Sequence, residues 1–206
     1  MRPETGSETV LAFDTSAAHC AAALLLPDGK ALNRLEEMEK GQAERLVPLL
    51  EDLLAEAGLG WPAITRIGVG TGPGNFTGVR LSVALARGLA LGLNIPAIGI
   101  TRLEALAHGL PRPLLVAEDA RRNEVYALGF DLAEMKLPCI LSRDALPAAL
   151  HVTGSGFAEG LPPALPLAEA IARIAAEREP GPRPAPFYLR GADAAPPSDP
   201  PPVILG

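Results

Sequence analysis

The sequence predicts an α/β protein of two related lobes, each a mixed sheet flanked by helices. Three observations predict it. A meander of strand-like segments leads into alternating helical and strand-like segments. The second half of the chain opens with a repeat of the layout found at its start. At 206 residues and 48% apolar composition, the chain is long enough to bury a substantial core. Aromatic residues make up only 4%, so that core is built from Leu, Ala, Val and Ile. Pro111-Arg112-Pro113 reads as the boundary, which gives lobes at residues 1–110 and 111–206.

In chain order, residues 9–16 (TVLAFDTS) read as a buried strand ending at Asp14, Thr15 and Ser16. Residues 20–26 form a second strand, and Pro27-Asp28-Gly29 is a turn. Residues 31–38 read either as the third strand of a meander or as helix. Residues 42–57 have the clearest helical period, with Leu46, Leu49, Leu50, Leu53, Leu54 and Ala57 on one face. Gly58 ends that helix, and Pro48 predicts a kink or a late start. A strand over 64–70 runs into a loop with Gly70, Gly72, Pro73 and Gly74. Asn75 is the expected N-cap of a long helix over 76–93. A strand over 95–100 follows, then a helix capped by Thr101.

In the second half, LLVAEDARRNEVYALGF matches the layout of VLAFDTSAAHCAAALLL, with Asp119 in the place of Asp14. Short strands follow near 139–141 and 151–154, then a Gly154-Ser155-Gly156 turn and one helix over 164–178. Residues 179–206 are rich in proline. Within them PFYLR (186–190) is expected to dock on the body, and PPSDPPP to be extended or disordered.

Charge and motifs narrow the chemistry. A net charge of −6 argues against a broad nucleic-acid surface acting alone. Cys20 and Cys139 are far apart and show no metal spacing, as in a reduced cytosolic protein. The N-terminus has no apolar signal core. The most apolar stretch, 79–100, carries Arg80, Arg87 and Pro96, which argues against a membrane span. Cytoplasmic localisation is therefore the expectation. His19, His108 and His151 form no metal-binding pair, and Ser16, Ser82 and Ser155 have no evident base. Arg121, Arg122 and Glu124 beside Asp119 read as a solvated turn.

The glycine loop lacks the GK[ST] of a Walker A sequence and fits no GxGxxG register. It reads as either an anion cradle at a helix N-terminus or a tight strand-to-helix turn. Asp14 and Asp119 each end a buried strand. They either face one cleft as Mg²⁺–phosphate ligands or only satisfy backbone N–H groups in their own turns. Along helix 76–93, Ala84, Gly88 and Gly92 make a small-residue stripe flanked by Ala86 and Ala90. Such a stripe admits close helix packing, within the chain or with a partner.

The segments LAFDTSAAHCAAALL, GTGPGNFTGVRLSVALARGLALG, IPAIGITRLEALA, EDARRNEVYA and PFYLR resemble, in that order, the TsaB (YeaZ) family, over most of residues 9–192. The GPG-x-FTG-[VL]-R block is specific to this family and its catalytic paralogue. The resemblance implies the duplicated, ribonuclease H-like fold of actin, Hsp70 and sugar kinases, with a cleft between lobes. It also implies a non-catalytic subunit that pairs with the paralogue TsaD and the ATPase TsaE. Together these transfer threonylcarbamoyl to the adenosine beside the anticodon of ANN-reading tRNAs, with tRNA met only through the complex.

The paralogue holds a metal on a His-x-x-x-His pair after the strand matching residues 95–100. Here Thr101 to Ala105 contain no histidine, so no metal and no cofactor are expected. The second lobe is short and shows no evident second glycine-rich nucleotide loop. Asp14, Thr15, Gly72, Gly74, Asn75 and Asp119 then line a vestigial nucleotide cleft. The partner interface is expected at Leu46, Leu50, Leu53, Val79, Val83, Arg87, Gly88 and Leu91, with a homodimer possible through the same faces. The competing readings are an independent phosphotransferase using Asp14 and Asp119 with Mg²⁺-ATP and, further behind, a metallopeptidase.

Overall fold

Two sheets of one plan carry the chain, seen in a computed structural model that describes residues 8–190. The first contains β1 (Val10–Asp14), β2 (His19–Leu25), β3 (Ala31–Glu37), β4 (Arg66–Gly70) and β5 (Ala97–Ile100), in the order β3-β2-β1-β4-β5. The second contains β6 (Leu114–Asp119), β7 (Glu124–Phe130), β8 (Cys139–Ser142) and β9 (His151–Thr153), in the order β8-β7-β6-β9. In each sheet the first three strands in sequence are antiparallel neighbours, and the fourth lies parallel to the first. The repeat seen in the sequence is therefore a repeat of strand order and direction. Among the described residues, the second sheet has no counterpart of β5.

Residues 31–37 are strand, because the open edge of β2 pairs with them along its whole length, from Leu25↔Ala31 to His19↔Glu37. Gly29, at φ 84°, closes the turn between them. Among the described residues, four α-helices pack around the sheets: α1 (Gln42–Glu56), α2 (Phe76–Leu93), α3 (Arg102–Ala107) and α4 (Leu167–Glu177). α1 runs from Gln42 straight through Pro48, which lies on its exposed side, so the late start does not occur. Gly58, at φ 66°, follows its C-terminus in the left-handed conformation expected there.

The first sheet has two different faces. Leu11, Phe13, Leu24, Ile67 and Val69 pack with the leucines of α1 and the inner face of α2. The centre of the opposite face is small: Ala12, Ala21 and Ala23 receive Ala168, Ile171, Ala172 and Ala175 of α4, with Val10, Leu25, Ile98 and Ile100 in the same cluster. A Cβ on Gly68 would lie 3.0 Å from Cβ of Ala175, so α4 can sit this close only over glycine.

α4 comes from the second half of the chain yet covers the first sheet. In exchange, α3 from the first half covers the second sheet, with Leu103, Leu106 and Ala107 against Leu114, Val116 and Leu128. Pro111 thus falls between the strands of the two sheets, while the helix packing crosses it. The expected division at 110 and 111 separates strands but not helices.

Candidate functional site

Between the sheets lies a cleft of about 780 Å³. Its walls come from the turn after β1 (Ser16), the loop before α2 (Pro73, Gly74, Asn75), the start of α3 (Arg102), the end of β6 (Glu118, Asp119) and the segment 187–190.

Asp14 ends β1 but is fully buried beneath this cleft. Its Oδ1 accepts the backbone N–H of Ser16 at 2.9 Å and the Ser16 hydroxyl at 2.8 Å, and lies 2.9 Å from His19 Nε2. Arg102 Nη1 is 3.9 Å away. Burial pushes the Asp14 carboxyl up, but the His19 hydrogen bond, the Arg102 and His19 charges and the Ser16 N–H outweigh it. They hold it below its ordinary 3.8. Ser16 and His19 both bond this carboxylate oxygen, so no nucleophile–base–acid relay is built here.

Arg102 carries the charge on to the second lobe. Its Nε donates to Glu118 Oε2 at 2.6 Å, and Glu118 Oε1 accepts the N–H of Ser155 at 2.8 Å. The buried acid of the second lobe is thus Glu118, one residue before the expected Asp119. Asp119 is exposed, accepts Arg143 Nη2 at 2.9 Å, and donates its own backbone N–H to Ser155 Oγ. Asp119 lines the cleft wall while Asp14 is buried beneath it, so the expected pair of carboxylates facing one cleft is not formed. Successive strand residues point to opposite faces, so a shift of one position reverses the role of a side chain. Among the described residues, no three His, Cys, Asp or Glu side chains are grouped to hold a metal ion.

The glycine loop is closed by the chain itself. Asn75 N–H donates to Ser16 O at 2.6 Å, and Gly78 N–H donates to Asn75 Oδ1 at 3.0 Å, the expected N-cap. Thr15 Oγ1 donates to Gly78 O at 2.7 Å. A Cβ on Gly74 would stand 2.3 Å from Ser16 O, and one on Gly78 only 1.8 Å from Thr15 O. These glycines admit the backbone of the β1–β2 turn, and the Asn75 and Gly78 amides at the helix start are engaged within the chain. Gly72, at φ 91°, sets the bend, and its carbonyl accepts Arg102 N–H. The second lobe has a counterpart: Gly154 and Gly156 approach Ala117 O to 2.3 and 2.8 Å by the same measure. The Gly154-Ser155-Gly156 turn expected from the sequence is thus the second lobe's counterpart of the glycine loop, which its length and spacing did not reveal.

Several expected interface residues belong to this chain's own core. Leu46, Leu50, Leu53, Val79 and Val83 are at most 2% exposed, because their helix faces cover the first sheet. The outer face of α2 carries Arg80, Ala84, Arg87, Gly88, Leu91 and Gly92, all exposed. Leu91 is 78% exposed, and added Cβ atoms at Gly88 and Gly92 would meet nothing within 4 Å. By length and composition α2 could also cross a membrane, but its inner face packs into the core. The expected His-x-x-x-His position is occupied otherwise. Thr101 and Glu104 form a capping box, Leu103 and Ala105 are buried, and Arg102 bridges to Glu118.

The segment 186–190 docks as its composition suggested. Phe187 N–H donates to Thr71 O, and the Tyr188 ring lies 4.9 Å from that of Phe76. The expectation for 196–202 lies outside the described residues. Burial and Glu36 raise the Cys20 thiol to about 11, so it remains protonated at neutral pH.

Fold and site define a class: a duplicated, two-lobed α/β protein of the actin-like kind, whose inter-lobe acids, apart from Asp14 Oδ2, are hydrogen-bonded within the chain. Residues 36–181 match the family described as TsaD: tRNA N6-adenosine threonylcarbamoyltransferase. The chain belongs to the TsaB (YeaZ) branch of that family. It is 38% identical over 123 residues to the tRNA threonylcarbamoyladenosine biosynthesis protein TsaB of Haemophilus influenzae, covering 57% of this chain and 52% of that protein. TsaB of Escherichia coli is also 38% identical, over 122 residues and with the same shares. The chain spans about half the length of these TsaB relatives. A Pseudomonas aeruginosa structure described as similar to peptidase YeaZ superposes with TM-score 0.71 at 30% identity, covering 89% of this chain and all of that one. YeaZ from the same organism gives 0.68 at 32%, covering 82% and 90%.

Proposed function

We propose that the chain is a non-catalytic scaffolding subunit of a cytoplasmic complex that forms threonylcarbamoyladenosine on tRNA. It docks on a TsaD-like paralogue through the outer face of α2. A TsaE-like ATPase joins the complex, and tRNA is met through the complex. A homodimer uses the same face when the paralogue is absent. One observation carries this reading: α2 turns a stripe of Ala84, Gly88 and Gly92 outward, beside an exposed Leu91, and no described residue covers it. Small residues let a second helix approach closely, and Leu91 supplies apolar area at the contact. Family membership and the names of the relatives supply the process. The engaged acids and the capped start of α3 favour scaffolding over phosphotransfer.

The test is reconstitution. Mixed with a TsaD-like protein, a TsaE-like ATPase and the adenylate-forming enzyme, the chain is expected to restore threonylcarbamoyladenosine formation. Gly88→Leu should abolish co-purification with the paralogue. It should leave the fold intact and even raise stability by up to about 1 kcal/mol, since leucine favours helix over glycine. Normal assembly by this variant would remove the proposed interface. Val83→Glu is unsuitable for this purpose, because it places a carboxylate in the core.

A further inference from the structure

Residues 184–190 take a path that neither docking of a tail nor packing of α2 requires. Pro184 is buried over Gly99 at the C-terminal end of β5. Phe187 N–H then donates to Thr71 O, just past β4, at 2.8 Å. Next, Tyr188 lies on Phe76, and its hydroxyl accepts Arg80 Nε at 2.9 Å. The Arg80 guanidinium in turn sits 3.7 Å above the Phe76 ring, so Arg80, Phe76 and Tyr188 form one stack. Two residues later the chain reaches the other lobe, where Arg190 pairs with Glu124 at the start of β7. Phe187, Tyr188, Leu189 and Arg190 all line the cleft.

We propose that residues 184–190 form a clasp across the mouth of this cleft. Its first-lobe anchor is the aromatic–arginine stack on α2, and its second-lobe anchor is the Arg190–Glu124 pair. Two deeper inter-lobe ties are of another kind. The α3–α4 exchange and the Arg102–Glu118 pair lie in the packed interior, where close packing makes them stiff. The clasp is partly exposed and belongs to none of the hydrophobic clusters, the profile of a segment that opens at low free energy. It crosses the C-terminal ends of β4 and β5, where open α/β sheets receive ligands. Its release uncovers the cleft floor at Arg102 and Glu118, and its closure fixes the separation of the lobes. The inference concerns the lobes of one chain and does not depend on which partner α2 meets.

The test measures lobe separation in the full chain. Spin labels on Lys40→Cys and Lys136→Cys, one exposed site on each lobe, report the distance in a Cys139→Ser background. Tyr188→Ala and Arg190→Glu should each lengthen and broaden that distance by several ångström. Combining Arg190→Glu with Glu124→Arg restores the pair with reversed charges and should return the narrow, short distribution. Tyr188 and Arg190 lie outside the hydrophobic clusters, so both variants are expected to fold, and a thermal melt checks this. An unchanged distance in both single variants would overturn the clasp. So would failure of the reversed pair to restore it. If Tyr188→Ala loosens the whole fold, the charge-reversal arm decides alone.

Discussion

Asp14 and Asp119 occupy equivalent places, at the ends of the first strand of two sheets with the same plan, yet meet opposite environments. Asp14 is sealed under the cleft with Ser16, His19 and Arg102 around it. Asp119 stands in solvent with one arginine, and the inward role falls to Glu118. The two glycine turns differ in the same direction. Around Asp14 the approach of Gly78 to Thr15 O is closer than any side chain tolerates, while Gly156 leaves Ala117 O somewhat more room. The first lobe is thus the tightly specified copy, backed by α1, α2 and α4. The second, served by α3 and short strands, is the relaxed one.

The sharpest way to break this comparison is a methyl group. Gly78→Ala puts Cβ against backbone, which cannot move away as a side chain could. Chemical denaturation should show a loss of about 3 kcal/mol or more. Gly156→Ala should lose about 1–2 kcal/mol. Equal losses would mean the two turns are equally tight.

The acids give the next largest contrast. Asp14→Ala leaves Arg102 short of a buried counter-charge and strands two donors from Ser16, a loss of about 3–5 kcal/mol. Asp119→Ala removes an exposed pair and should cost under about 1 kcal/mol. A matching pair of melting curves would refute the assignment of roles.

The smallest effect is a pH slope. The Asp14 carboxyl titrates below its ordinary 3.8 in the folded chain. Its contribution is therefore full above that value and is lost as pH falls through the lower, folded one. Between about pH 4 and pH 2, the stability of the native chain should fall more steeply than that of Asp14→Asn. Parallel slopes would show that the burial of Asp14 outweighs its partners.

Much of this was readable in the residues. Leucine spacing placed α1, Asn75 and Thr101 marked helix starts through their capping oxygens, and the repeated strand–acid–turn layout foretold two sheets of one plan. These features are local, and local propensity and periodicity encode them directly. What the residues did not disclose follows from contacts between distant segments. An amphipathic helix states that it has an apolar face but not which sheet takes it. The leucines of α1 therefore looked available to a partner until the first sheet was seen to cover them.

Glu118 and Asp119 are adjacent acids that both line the cleft, and only the register of β6 against β7 and β9 buries one against Arg102 and leaves the other exposed with Arg143. Arg102 passed unnoticed because its partners lie far away in sequence, at Asp14 and Glu118. By itself the sequence determined the strands, the helices and their caps, because each depends on neighbours within a few residues. Tertiary structure alone decided which helix covers which sheet, which acid is buried, and that 184–190 spans both lobes. Those outcomes rest on burial and charge pairing between segments that only folding brings together.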